Sequence, residues 1–448
     1  MKNLTEGNIY KNFILFAIPM VMAGLFAQMY NTIDTMIVGQ YLGSNGLAAL
    51  GATANLLTFL SAIFWGYSNG ASLYAAQSFG GGDFSKLRRI IRGNVMMNLL
   101  ASVVLALLVS LFANPILDLL KVDESIWQET KSYMMVYVWG IGLITLHTTF
   151  IHTMQALGIG KFQFLMSVLS AVLNVIGNIV AITVLDWGVA GVALATVIAS
   201  LIVDVCFTLK LKQCFEELGI GNEPVRLDLK TIQEPFSVGG ANMLQQMVLY
   251  LSSLLISPIV NGLGSSATAG YVIARRVYNI NTGIYQNSAK TVSNHTAQCI
   301  GAGKVKRVKK GLYVGWVQGM ILFVPVMLLC VIFARQTCGF FLSGDGDAQA
   351  LEYGILFVRF FLPFTVLDMI NNLFHAFFRG TSSMKLLFFS SLIGAVSHLV
   401  LTYLLQGIGM TGIYFAWVLS WLCEAIFAIS AYLAGRWKKH CGYPVSGK

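Results

Sequence analysis

Long apolar stretches recur from one end of this chain to the other, and each exceeds the roughly 20 residues that an α-helix needs to cross about 30 Å of hydrocarbon. Twelve are legible, over 10–38, 46–78, 93–114, 132–154, 162–185, 187–211, 235–262, 267–299, 311–334, 350–376, 384–405 and 409–434. Backbone groups facing lipid must be satisfied within the segment, so stretches this long, rich in Leu, Ile, Met, Phe and Gly, form helices rather than barrel strands. The expected fold is an all-α membrane protein with 12 transmembrane helices. Composition agrees: 448 residues are 56% hydrophobic and only 11% charged, with mean hydropathy +0.72, whereas soluble domains carry about 25% charged residues.

Basic residues set the orientation. If the N-terminus is cytoplasmic, the inner segments hold the clusters Lys86–Arg92, Lys210–Lys212, Lys304–Lys310 and Arg436–Lys439, while Lys121, Lys131 and Arg335 fall outside. Both termini are therefore expected on the cytoplasmic side. Basic inner loops beside anionic headgroups also account for the net charge of +10, so no nucleic-acid partner is expected. The first apolar run continues through Pro19 to Val38 without a small-x-small cleavage site and reads as a retained helix. Seven scattered cysteines show no CxxC or metal spacing, which points to unpaired thiols and to no cofactor.

The chain repeats itself. Shifted by 221, Leu42, Gly43 and Ser44 fall on Leu263, Gly264 and Ser265, while Gln77, Gly80 and Gly82 fall on Gln298, Gly301 and Gly303. A shift of 220 lays Tyr133 on Tyr353, Ala156 on Ala376 and Gly160 on Gly380; at 221 again, Gly188, Gly191 and Ala195 meet Gly409, Gly412 and Ala416. An offset of six helices orients both halves alike in the membrane, as two pseudo-symmetric six-helix lobes. The expected division is an N-lobe over 1–210, a cytoplasmic linker over 211–234 and a C-lobe over 235–448. Two lobes facing across a cleft suit a site that opens alternately to each side.

Ionisable groups at membrane depth cost about 2.5 kcal/mol or more, so each is a candidate functional residue. In helix 1, Gln28, Asn31, Asp34 and Thr35 form a polar stripe, with Tyr30 one turn before Asp34. Asp34 lies about 6 Å inside the outer end at Val38, where a carboxyl can exchange a proton or coordinate Na⁺ beside uncharged oxygens. The structural alternative is a helix end wetted by outer solvent. Helix 5 carries Ser167, Ser170, Asn174 and Asn178 on one face, as ligands for Asp34 or as packing contacts. Helix 10 carries Asp368, Asn371, Asn372, His375 and Arg379 as one stripe, with a structural ion pair or a coupling role both open. Helix 8 presents Asn287, Lys290 and Asn294, and Lys290 has two placements, against Asp368 or in the cleft as a positive charge. Asp204 and Glu424, on the last helix of each half, read as pairing or snorkelling groups.

The stretch from Tyr30 to Gly51, YNTIDTMIVGQYLGSNGLAALG, resembles the first-helix signature of the MATE (multidrug and toxic compound extrusion) family. LNVIGNIV, WGVAGVALAT, the turns QSFGGGD and QCIGAGK, and DMINNLFHAFFRG are similar to it too, so the resemblance spans the chain. It implies that Asp34 is the N-lobe cation-site aspartate, that Asn174 is the helix-5 asparagine, and that Thr196 and Tyr30 line the same place. Asn178 departs from relatives that have Asp there, leaving one carboxylate for a Na⁺ site at Asp34 and Asn174. Asp368 takes the position of a C-lobe coupling carboxylate, and Gln245 stands where some branches carry Glu. The implied function is export of organic, cationic amphipathic drugs or metabolites by H⁺- or Na⁺-coupled antiport. Gln28, Asn31, Gln245, Lys290, Asn371, Asn372 and His375 are its candidate substrate-cleft residues. The implied setting is the bacterial cytoplasmic membrane, with a small organic solute and the lipid bilayer as partners and a monomeric protein. A lipid-linked sugar flippase of the same superfamily is the runner-up; an intramembrane enzyme or receptor would need a metal cluster or a soluble domain that the sequence does not offer.

Overall fold

The computed structural model describes residues 3–220, 229–341 and 348–440, without the side chains of 25, 27–32, 35, 44, 229–232, 234, 237, 238 and 440. Gln28, Tyr30, Asn31 and Thr35 are therefore placed only by their helical backbone. Helix α1 (Ile9–Gly81) is two arms meeting at Gly43, followed by α2 (Phe84–Leu111), the short α3 (Ala113–Leu119), α4 (Trp127–Ala156), α5 (Gly160–Thr183) and α6 (Gly188–Glu217). The second half runs α7 (Leu229–Asn261), α8 (Ser265–Gly301), α9 (Val305–Ile332), the short α10 (Ala334–Gly339), α11 (Ala348–Leu356), α12 (Thr365–Gly380), α13 (Met384–Leu405) and α14 (Met410–Leu433). No strand occurs among the described residues.

Ten helices among the described residues are long and apolar enough to cross a membrane. The other two expected spans fall on the first arm of α1, apolar over the shorter stretch Ile9–Gly24, and on α8. At 37 residues α8 has the length to cross, but Arg275, Arg276, Lys290 and several asparagines lower its hydropathy. Lipid-facing surface is apolar as the bilayer demands: along α2, Leu100, Val103, Val104, Leu107 and Leu111 are all exposed.

The glycines that carry the internal repeat also carry its backbone geometry. Gly43 and Gly264 have φ of 67° and 104°, Gly82 and Gly303 have 74° and 70°, and Gly188 and Gly409 have 53° and 69°. These left-handed turns cost a Cβ-bearing residue free energy that glycine avoids, so the same break recurs at the same place in each half.

Contacts divide the chain into two compact units, one of Met1–Asn3 and Met22–Met243, the other of Leu4–Val21 and Leu244–Lys448. They differ from the sequence division at two places. The opening of α1 belongs with the second half, and the opening of α7 belongs with the first.

Lipid is as apolar as leucine, so helices associate here through close packing of small residues rather than through expulsion of water. A Cβ on Gly140 of α4 would lie 2.0 Å from Val197 of α6, and one on Gly315 of α9 would lie 2.1 Å from Val292 of α8. At Gly412 the obstacle is backbone, with the Leu405 carbonyl oxygen only 1.9 Å from such a Cβ. Gly412→Ala is expected to lower stability by about 3 kcal/mol, measured by denaturant unfolding of the purified protein. Gly407→Ala, whose Cβ meets nothing within 4 Å, serves as the near-neutral control.

Candidate functional site

In the first unit the site begins with a close approach of two helices. A Cβ on Gly177 of α5 would lie 2.9 Å from the Ala195 Cβ of α6, and one on Gly191 of α6 would lie 2.9 Å from the Ala181 Cβ of α5. Small residues on both sides bring the α5 amides against the α6 hydroxyl. Asn174 Nδ2 donates to Thr196 Oγ1 at 2.8 Å, and Asn178 Nδ2 donates to Asn174 Oδ1 at 2.9 Å. Asn178 Nδ2 also donates to Asp34 Oδ1 on α1. Four of the sequence-predicted residues thus form one chain, Asp34–Asn178–Asn174–Thr196, with Asn174 and Asn178 buried.

This chain has a direction. Thr196 spends its hydroxyl proton on the Val192 carbonyl at 3.1 Å, which leaves its oxygen to accept from Asn174. Asn174 must then turn its own oxygen to Asn178, and Asn178 turns its N–H groups to Asp34 and Asn174. Asp34 receives hydrogen bonds from this chain and gives none. Asn178 Oδ1 is buried with no partner among the described residues. The Asn174 oxygen is occupied by a donor, and that same donor stands between Asn174 and Asp34. A Na⁺ ion held jointly by Asp34 and Asn174 does not fit this arrangement.

In the second unit the centre is Asp368, in the first turn of α12. The span containing it changes its winding, passing from α11 through a π-helical stretch, Phe357–Phe361, and a 3-10 turn, Leu362–Phe364, that carries Pro363. The helical backbone runs on through this change of winding, and α12 begins three residues before Asp368. Asp368 Oδ2 accepts from Tyr278 Oη at 2.9 Å and from Tyr285 Oη, while Oδ1 accepts from Asn372 Nδ2 at 3.2 Å. Tyr278 is clamped by Trp421, stacked at 5.7 Å, and by Trp417, edge-on at 5.0 Å.

The expected helix-10 stripe divides into two faces. Asp368 meets α8 and Asn372 bonds back to Asp368, whereas Asn371 Nδ2 donates to the Trp421 carbonyl at 3.0 Å and to Glu424 Oε2 at 3.3 Å, both on α14. His375 Nε2 lies 2.9 Å from Glu424 Oε1 and 3.1 Å from Ser390 Oγ on α13. Asn371 and His375, expected in a cleft, are buried between helices at 1% and 8% exposure. Gln245 is likewise buried, donating to Ser391 Oγ at 2.7 Å. Lys290 does not pair with Asp368; its Nζ donates to Asn287 Oδ1 at 3.1 Å.

Sequence reasoning missed Tyr278 and Tyr285. Their spacing of seven residues puts both hydroxyls on one face of α8, a signal obscured because tyrosines at membrane depth also serve as packing. Asp204 and Glu424 lie on the last helix of each half, one residue out of the repeat register, and each has a histidine beside it in its own unit. His147 Nδ1 is 3.5 Å from Asp204 Oδ1, an ion-pair contact without hydrogen-bond geometry. Both acid side chains are buried within their own units. No group of three or more His, Cys, Asp or Glu suited to a metal occurs among the described residues.

An all-helical membrane bundle built as a tandem repeat, with buried carboxylates held by amides and hydroxyls, is the architecture of a multi-pass membrane transporter. The MatE family model matches residues 19–180 and again 242–404, and the chain belongs to the MATE family of multidrug efflux transporters. It is 24% identical over 446 residues to the probable multidrug resistance protein YpnP of Bacillus subtilis, covering 97% of each chain. It is 20% identical over 429 residues to the multidrug export protein MepA of Staphylococcus saprophyticus, covering 96% of this chain and 94% of that one. A solved outward-facing multidrug resistance MATE transporter of the MOP superfamily superposes with a TM-score of 0.89 at 18% identity, covering 98% of both.

Proposed function

We propose that this chain is a proton-coupled antiporter exporting amphipathic organic solutes across the bacterial cytoplasmic membrane by alternating access, with both termini cytoplasmic. The observation that carries the coupling reading is the directed chain from Thr196 to Asp34. As it stands it stabilises an ionised Asp34, because every bond from Asn178 arrives as N–H. Protonation of Asp34 creates an O–H that needs an acceptor, and the unpaired Oδ1 of Asn178 is the nearest candidate on α5. A half-turn of that amide sets its oxygen against the Asn174 oxygen, so Asn174 turns in response and Thr196 gives its proton to Asn174 instead of Val192. Proton binding at one end thereby reverses each bond between α1, α5 and α6.

The multidrug relatives support amphipathic solutes as cargo. One proton moving down about 100 mV and one pH unit releases roughly 3.7 kcal/mol, enough for a several-hundred-fold gradient of a neutral solute. The test reconstitutes the full chain in proteoliposomes and follows efflux of ethidium, a cation, and riboflavin, a neutral solute, under an imposed proton or sodium gradient. A proton gradient is expected to accelerate efflux about tenfold or more. Acceleration by sodium alone would overturn the proton assignment, and no gradient-dependent movement of either solute would overturn antiport.

A further inference from the structure

Among the described residues of the second unit, Lys290 and Arg379 lie inside helical segments without an ion-pair partner. Lys290, on α8, lies about 16 Å along the helix from the inner turn at Gly301. Its ammonium donates to Asn287 Oδ1 and forms no ion pair among the described residues. Arg379 lies in the last turn of α12, and its Nε is buried with no hydrogen-bond partner among the described residues.

The two helices touch at this level. A Cβ on Gly380, the residue after Arg379, would lie 2.7 Å from both the Ser293 carbonyl oxygen and the Thr296 Cβ of α8, which stand about one to two turns beyond Lys290. Lys290 and Arg379 thus stand on touching helices, each within about one turn of the contact. Neighbouring polar atoms are also unmet: Ser293 Oγ, Asn294 Oδ1 and Thr296 Oγ1 are buried without hydrogen-bond partners among the described residues.

Among the described residues neither Asp368 nor Glu424 forms an ion pair with Lys290 or Arg379. Asp368 is taken by Tyr278, Tyr285 and Asn372, and Glu424 by His375 and Asn371. Two like charges held together at membrane depth are costly unless a counter-charge joins them.

We propose that Lys290 and Arg379 form an anion subsite that takes the phosphate group of an amphipathic molecule. A guanidinium edge grips two phosphate oxygens while an ammonium supplies a point charge. As a substrate subsite it rests on the transport reading above and gives that reading a substrate class, replacing the purely cationic cargo that family resemblance implies. The same chemistry fits an anionic lipid headgroup.

The experiment uses riboflavin and flavin mononucleotide, which share one ring system and differ by a single phosphate. Full-length protein in phosphatidylcholine nanodiscs is titrated with each, following flavin fluorescence. Flavin mononucleotide is expected to bind at least tenfold more tightly. Lys290→Gln and Arg379→Gln should each weaken it at least fivefold while leaving riboflavin unmoved, and Arg379→Lys should restore part of the loss.

Replacing a third of the lipid with phosphatidylglycerol separates the two sources: competition with flavin mononucleotide identifies a headgroup as occupant, and its absence a soluble solute. Equal affinities for the two flavins, no binding of flavin mononucleotide, or a preference that survives in the Lys290→Gln/Arg379→Gln double variant would each overturn the subsite. Gradient-driven efflux of ethidium, measured on the same preparations, keeps the two failures apart. Coupled efflux without phosphate preference sinks the subsite alone, and phosphate preference without coupled efflux sinks the antiport reading alone.

Discussion

Asp34→Asn is expected to collapse proton-driven solute accumulation about 100-fold or more while leaving downhill solute exchange near its wild-type rate. The side chains are nearly isosteric, and an asparagine oxygen at position 34 still accepts from Asn178. Helix packing and the Asn178–Asn174–Thr196 chain therefore persist. The variant loses the one group in that chain that changes charge, and with it the energy of the proton gradient, which supplies roughly 3.7 kcal/mol per proton under the conditions above. Efflux and counterflow measured side by side separate these outcomes. Coupling that survives in Asp34→Asn would move the proton to the second unit, where Asp368 is the first candidate.

The second large effect is on stability. Asp368→Leu leaves the Tyr278 and Tyr285 hydroxyls and the Asn372 amide facing an apolar side chain in a buried site. A buried donor without an acceptor costs about 1–3 kcal/mol, so a loss of about 3–5 kcal/mol in unfolding free energy is expected. Asp368→Asn keeps an acceptor oxygen, and its loss should be about 1 kcal/mol. Denaturant unfolding in one detergent measures both, and equal stabilities for Asp368→Leu and wild type would mean that water already reaches the tyrosine hydroxyls.

The repeat and the first-unit site were legible in the sequence for a shared physical reason. Glycines at 43, 82 and 188, and their partners 221 residues on, sit where the backbone turns left-handed, so chemistry holds them in register. Asn174 and Asn178, one turn apart on an apolar helix, have one face to share, and Asp34 is the nearest acid in the same half. Helix 10 was harder. Residues 368, 371, 372 and 375 are each three or four apart, yet steps of three and four rotate in opposite senses around a helix. Asn371, about 60° to one side of Asp368, meets α14 while Asp368 meets α8, and His375, nearly in line with Asp368, reaches Glu424 of α14 two turns further on. Spacing cannot say where one stripe becomes two when both neighbouring helices offer polar partners. Nor does periodicity reveal that α1 and α7 each change units partway along, because both remain apolar across the change.

That sharing of the first helices has a consequence for how the chain is made. Leu4–Val21 leaves the ribosome before everything else in its unit, yet the rest of that unit, Leu244–Lys448, is made last. The first unit is complete only when Met243 has emerged, well past the end of α6. Neither unit can mature as a closed intermediate during synthesis of its own half, and the opening of α1 must stay uncommitted in the membrane until translation is nearly finished.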